Sequence, residues 1–144
     1  MRDIHIGSDH AGFELKSQLS ASLGKLGFNI IDHGAHSAES CDYPLIARDL
    51  CKAGEADKAC GILICGTGIG MSIAANRFKG IRAALCSAEL PARLARRHNN
   101  ANVLCLGARM IGSELALAVA LAFLESEFEG GRHERRLAEL DKLP

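Results

Sequence analysis

The amino-acid sequence predicts an α/β fold, a three-layer α/β/α sandwich of Rossmann-like form built on a five-stranded parallel sheet. Short β-rich runs alternate with longer segments of helical period, the pattern that lays helices on both faces of a mostly parallel sheet. Five such units can be marked, with no fixed-period repeat beyond the alternation and no low-complexity segment. At 144 residues the chain is long enough to bury a core of its own, so residues 1–144 are read as a single domain.

The elements follow in order. DIHIG at 3–7 is the first strand, and a helix is expected over 8–27, where Leu15, Leu19, Leu23 and Leu26 recur at helical spacing and Gly27 ends the run. FNIIDHG at 28–34 is the second strand, followed by the polar loop AHSAESCD. A helix over 43–56 carries Pro44 near its start, where the missing N–H costs little. ACGILIC at 59–65 is the third and most apolar strand, with a helix over 70–78 behind it. IRAALC at 81–86 is the fourth strand, and the helix over 87–98 accepts Pro91 in its first turn. NVLCLG at 102–107 is the fifth, and a long helix over 110–128 follows. Gly130 and Gly131 then break the chain before a short charged helix at about 130–142.

Composition excludes several classes of function. Lys plus Arg equal Asp plus Glu at 17 each, so bulk charge advertises neither nucleic acid nor a membrane surface as partner. Five Phe, one Tyr and no Trp leave no stacking platform for single strands. The longest apolar run, LALAVALAFL at 115–124, is too short to cross a bilayer and fits a buried or subunit-interface helix. MRDIHIGSDH turns polar at once, without the apolar stretch of a signal peptide, and the six cysteines form no framework spacing and no CxxC. A reducing, cytoplasmic setting with free thiols is expected. Scattered histidines without HExxH or paired-cysteine knuckles predict no metal.

Ligands of such folds sit outside the carboxyl ends of the strands, where connections leave the sheet in opposite directions. The predicted ends place Ser8, Asp9 and His10 there, with Cys65 to Gly70, Ser87, and Gly107 to Arg109. Within them, GTGIG at 66–70 lacks the third glycine of a dinucleotide fingerprint, since Met71 stands in its place, and lacks the GK[ST] of a Walker loop. What remains is a turn whose glycines admit close approach of a ligand, opening a helix. It is an anion site, for a phosphate or for an oxyanion that develops during reaction. A thiol beside a helix amino terminus ionises more readily, which makes Cys65 a candidate nucleophile or base, against the plainer role of a packed strand cysteine. Asp9 and His10 pair as acid–base candidates at the same edge. His98 closes a helix, and Asn99 stands next to it. Arg132 and Arg136, four apart, face one side if their segment is helical and together suit a phosphate. A thiol redox role is disfavoured by the lack of a resolving cysteine near Cys65.

Together these segments resemble the B-type ribose-5-phosphate isomerases, in the sugar-phosphate isomerase family that includes the galactose-6-phosphate isomerase subunits. The resemblance rests on GSDHAGFELK at 7–16, DYP at 42–44, CGTGIGMSIAANRFKGIRAAL at 65–85, RRHNNANVLCLGARMIG at 96–112 and EGGRHERRL at 129–137, in the family's order. It implies interconversion of ribose 5-phosphate and ribulose 5-phosphate, a step of the pentose phosphate pathway, through an enediolate and without a cofactor. Cys65 matches the base, and Met71 stands where other members carry a glutamate. Thr67 and the backbone of Gly66, Gly68, Ile69 and Gly70 match the enediolate hole. Asp9 and His98 match the ring-opening residues; His10, Arg109, Arg132 and Arg136 match the phosphate grip; Tyr43 and Asn99 match substrate contacts. A homodimer or dimer of dimers with shared active sites is implied, the carboxyl-terminal helix packing on the partner subunit. Six-carbon aldose phosphates, and a non-catalytic phosphosugar-binding module, stay open as alternatives.

Overall fold

The computed structural model describes residues 2–144. Five parallel strands, β1 (Arg2–Ser8), β2 (Phe28–Asp32), β3 (Cys60–Cys65), β4 (Ala83–Leu85) and β5 (Val103–Gly107), form one sheet in the order β2-β1-β3-β5-β4. Six helices join and follow them: α1 (Phe13–Lys25), α2 (Tyr43–Asp57), α3 (Ile69–Ala75), α4 (Glu89–Asn99), α5 (Ser113–Leu124) and α6 (Arg132–Leu140). The expected α/β sandwich and five-stranded parallel sheet are thus what the chain forms.

Alternation within the strands divides the core in two. Ile4 and Ile6 of β1, Ile62 and Ile64 of β3 and Leu104 and Leu106 of β5 point to the layer holding α1, α4 and α5, where they meet Leu19, Leu23, Val119 and Phe123. Leu63 and Cys65 of β3 and Val103 and Cys105 of β5 point to the other layer, against Leu50, Met71 and Ala75 of α2 and α3. β3 is buried along its whole length because both of its faces and both of its edges are covered, which explains its unbroken apolar sequence.

Several elements are shorter than expected, and for three of them the local backbone shows why. α1 begins at Phe13 because Asp9 to Gly12 fold into a turn, in which the Asp9 carboxylate and carbonyl both accept from the Gly12 N–H. α5 runs only over Ser113–Leu124: Gly112 is extended, and the chain after Glu125 leaves the helix. β4 keeps only Ala83–Leu85 of the expected run, as Ile81 and Arg82 turn to bond with Phe78 and Asn102 instead. No helix among the described residues is long and apolar enough to cross a membrane, and all six cysteines are free.

Candidate active site

The chain leaves β1 toward β2 on one side and returns to β3 on the other, so a crevice opens at the carboxyl ends of β1 and β3. Register brings the site segments into line there. Ser8 lies opposite Ile64 and Cys65 opposite Gly107. The N–H of Asp9 donates to the Ile64 carbonyl at 3.1 Å, and those of Ala108 and Arg109 donate to the carbonyls of Cys65 and Gly66 at 2.8 and 2.9 Å. Three loops are therefore laced to one another through backbone, which fixes their geometry independently of side-chain rotamers.

Cys65 sits beneath the glycine turn with 5% of its surface exposed. Its Sγ accepts the Gly68 N–H at 3.1 Å, so a donor already points at the place where negative charge on sulfur would lie. Among the core thiols, burial pushes Cys51 and Cys86 up to about 11, and burial together with the neighbouring thiols pushes Cys105 higher still. They remain protonated packing groups at neutral pH.

The turn has its shape for steric reasons. Gly68 has φ +79°, and a Cβ there would lie 2.5 Å from a Leu85 methyl and 3.0 Å from the Leu106 carbonyl carbon. Gly107, at the end of β5, presses on the turn from the other side, where a Cβ would lie 2.6 Å from the Thr67 carbonyl oxygen. The Thr67 hydroxyl accepts the Ile69 N–H at 3.2 Å and locks the entry to α3. With only seven residues, α3 contributes a modest dipole, and two amides of the turn are already taken, Gly68 N–H by the Cys65 sulfur and Ile69 N–H by the Thr67 hydroxyl. Around this turn, the Arg109 guanidinium lies over Gly66 and the Tyr43 ring over Gly70. His10 takes the Cys41 N–H on Nδ1 at 3.3 Å, which makes Nε2 the donor in the neutral ring. Nearby, Lys16 is 2% exposed and donates to both Asp32 oxygens at 2.7 Å, while Asp32 Oδ1 also accepts the Gly34 N–H, so one ion pair ties α1 to the end of β2.

Asp9, His10, Tyr43, Cys65, Gly66 to Gly70 and Arg109 are brought together in this way; the remaining candidates are not. α4 starts at the carboxyl edge and runs away from it for eleven residues, about 16 Å, so His98 and Asn99 end at the opposite edge of the sheet. Arg132 and Arg136 on α6 stand there too, both exposed, with the α6 segment tied to α4 by the Glu129 N–H donating to the Arg97 carbonyl. Two residues that sequence reasoning passed over join them: Glu129, and His133, whose ring stacks on His98 at 4.3 Å between centroids. Burial pushes the His133 imidazole below its ordinary value, and the nearby His98, Arg132 and Arg136 act in the same direction. Two surface hollows, of about 660 and 970 Å³, open near this second edge, and Cys65 lines neither.

A profile described as Ribose/Galactose Isomerase matches residues 4–140. The chain belongs to the ribose/galactose isomerase family. Among members of the family, ribose-5-phosphate isomerase B of Escherichia coli strain K12 is 49% identical over 140 residues, covering 95% of this chain and 93% of that one. A ribose 5-phosphate isomerase structure from Thermotoga maritima superposes with TM-score 0.96 at 52% identity, covering 99% of each chain. A Mycoplasma genitalium ribose-5-phosphate isomerase B, solved with bound ribulose-5-phosphate, superposes with TM-score 0.93 at 41% identity, covering 97% of this chain and 94% of that one.

Proposed function

We propose that this chain is a cofactor-independent aldose–ketose isomerase that interconverts ribose 5-phosphate and ribulose 5-phosphate, with Cys65 as the base. The observation that carries the reading is the thiol held under the glycine turn, with the Gly68 N–H on its sulfur. The Cys65 thiolate takes the proton from C2 of the open aldose. The electron pair moves into a C1–C2 double bond, and the carbonyl oxygen on C1 becomes an oxyanion that the turn stabilises. The same thiol returns the proton to C1, the hydroxyl proton on O2 passes to O1, and the carbonyl now stands at C2. Atoms and charge balance without a metal or an electron acceptor.

The cyclic sugar has no acidic C2 proton, so the ring must open first, and Asp9 and His98 are assigned to that step. His10, Arg109, Arg132 and Arg136 grip the phosphate; Tyr43 and Asn99 contact the sugar; Thr67, with the backbone of Gly66 to Gly70, forms the hole for the enediolate oxygen. His98, Asn99, Arg132 and Arg136 lie at the edge of the sheet away from Cys65, which supports a homodimer or dimer of dimers in which one copy completes the site of the next and α6 packs on the partner. Residues 1–144 act as one domain in this reading, and six free cysteines suit the cytoplasm.

The test is exchange of solvent deuterium into C2 of the aldose and C1 of the ketose, measured beside net conversion. A catalyst of enediolate chemistry exchanges; a phosphosugar-binding module binds and does neither. Running five- and six-carbon aldose phosphates in parallel fixes the substrate, because one extra carbon is discriminated by only about 1–3 kcal/mol. A clear hexose preference would replace the pentose assignment and leave the mechanism standing.

A further inference from the structure

At the end of α4 stands a cluster of which the proposed chemistry uses only one member. Glu129 ties itself to α4 twice: its N–H donates to the Arg97 carbonyl at 3.0 Å and its Oε1 meets the Arg97 guanidinium at 2.5 Å. Its other oxygen, Oε2, faces two imidazoles, 3.9 Å from His98 Nε2 and 3.6 Å from His133 Nε2. His133 is 7% exposed, and its ring lies within 11° of parallel to that of the half-exposed His98. One face of His98 is thus backed by a buried ring and its outer edge is met by an anchored carboxylate.

The three donor atoms lie within 4.8 Å of one another, a spacing that a divalent cation could bridge. Two observations oppose that reading. An imidazole holds a metal in its own plane, and two stacked, near-parallel rings have no such point in common. Arg97, Arg132 and Arg136 also surround the cluster with positive charge, Arg97 already occupying the carboxylate. The arrangement is that of a histidine oriented by a third group, as in nucleophile–base–orienter sets.

We propose that Glu129 is a positioning residue that holds His98 in the orientation and tautomer needed for proton transfer to the sugar ring oxygen, with His133 as the backing ring. This inference rests on the reading of His98 as a ring-opening group. At 3.9 Å the contact is longer than a hydrogen bond, and such contacts tighten when a ligand arrives.

The experiment exploits a difference between the two sugars. Ribose 5-phosphate is largely a furanose, whereas ribulose 5-phosphate has its 5-oxygen esterified and cannot close a furanose on C2. Glu129→Gln keeps the size of the side chain and the N–H to Arg97. On the purified full chain, its kcat for ribose 5-phosphate is expected to fall on the order of tenfold, a share of what general acid–base groups supply, with KM little changed. Its rate of deuterium exchange into C1 of ribulose 5-phosphate is expected to stay within about twofold of the parent protein. Added to His98→Asn, the substitution is expected to cost nothing further, since the group it orients is gone. Equal losses in both assays, or additive losses on the His98→Asn background, would overturn the proposal and make Glu129 a structural residue. Should Glu129→Gln fold poorly, Glu129→Asp retains the charge on a shorter arm and must show the same split between turnover and exchange. If the parent protein shows neither turnover nor exchange, the isomerase reading itself fails. If the parent is active and Glu129→Gln matches it in both assays, only the positioning role fails.

Discussion

The residues assigned to the active site fall into two groups built on opposite principles. At the carboxyl edge of the sheet, Asp9, Cys65, Gly66 to Gly70 and Arg109 are fixed by backbone hydrogen bonds between three loops and by glycines with no room for a methyl group. At the far end of α4, His98 and its neighbours are held by side chains: one stacked ring, one carboxylate and the helix dock beneath them. In the proposed reading the first group supplies the base and the anion hole, which demand fixed distances. In the same reading the second supplies His98 for ring opening and two of the four phosphate-gripping residues, side chains that can close on a ligand after it arrives. The difference teaches that, in the proposed reading, the base and the anion hole are preassembled in one chain, whereas ring opening and phosphate capture each draw on both groups, Asp9 with His98 and His10 and Arg109 with Arg132 and Arg136.

The largest effect expected from breaking the first group is that of Cys65→Ala. Turnover should fall by about 10²–10⁴-fold, the contribution of a general base, while calorimetric binding of ribose 5-phosphate survives. Equal loss of binding would make Cys65 a structural residue. Mixing Cys65→Ala with His98→Asn in one preparation sharpens the contrast: if the two groups meet across subunits, mixed dimers regain one intact site and activity returns to roughly a quarter of the parent level. No recovery would place both groups in the same subunit's site.

Stability should separate the groups as well. Gly68→Ala forces a left-handed residue against Leu85 and the Leu106 backbone, and is expected to cost about 2–4 kcal/mol in denaturant unfolding, from strain and overpacking together. Arg132→Ala, on an exposed helix face, should leave the unfolding midpoint unchanged and raise KM about tenfold or more through loss of a charge-assisted contact. The smallest effect concerns His33, close to the first group. Burial pushes its imidazole below the ordinary value of 6.5, with His5 adding to the push and Asp32, Asp49 and Asp57 opposing it. The unfolded chain therefore takes up this proton before the folded one does. The associated stability is present above about pH 6.5 and is lost as pH falls below it. Melting curves at pH 7.5 and 5.5 on the parent and His33→Asn check it: the variant should lose less on acidification.

Much of this was legible from residues. Alternating runs locate all five strands, and the glycine turn with its thiol marks the carboxyl edge. Three things were not legible, each because it depends on contacts between distant segments. β5 lies between β3 and β4, an order that local periodicity does not encode. The start of α1 shifted by a turn in which Asp9 claims the Gly12 N–H, a competition invisible to hydrophobic spacing. Glu129 and His133 became candidates only once α6 docked on α4, since they stand 31 and 35 positions from His98 and read in isolation as part of a solvated charge run.

The contact of Gly107 with the Thr67 carbonyl has a bearing on affinity. The close approach is made by main-chain atoms on one side and a strand end on the other, so no rotamer change can relax it. An inhibitor that mimics the planar enediolate would therefore meet a template whose shape exists beforehand, and little binding energy would be lost in ordering the protein around it.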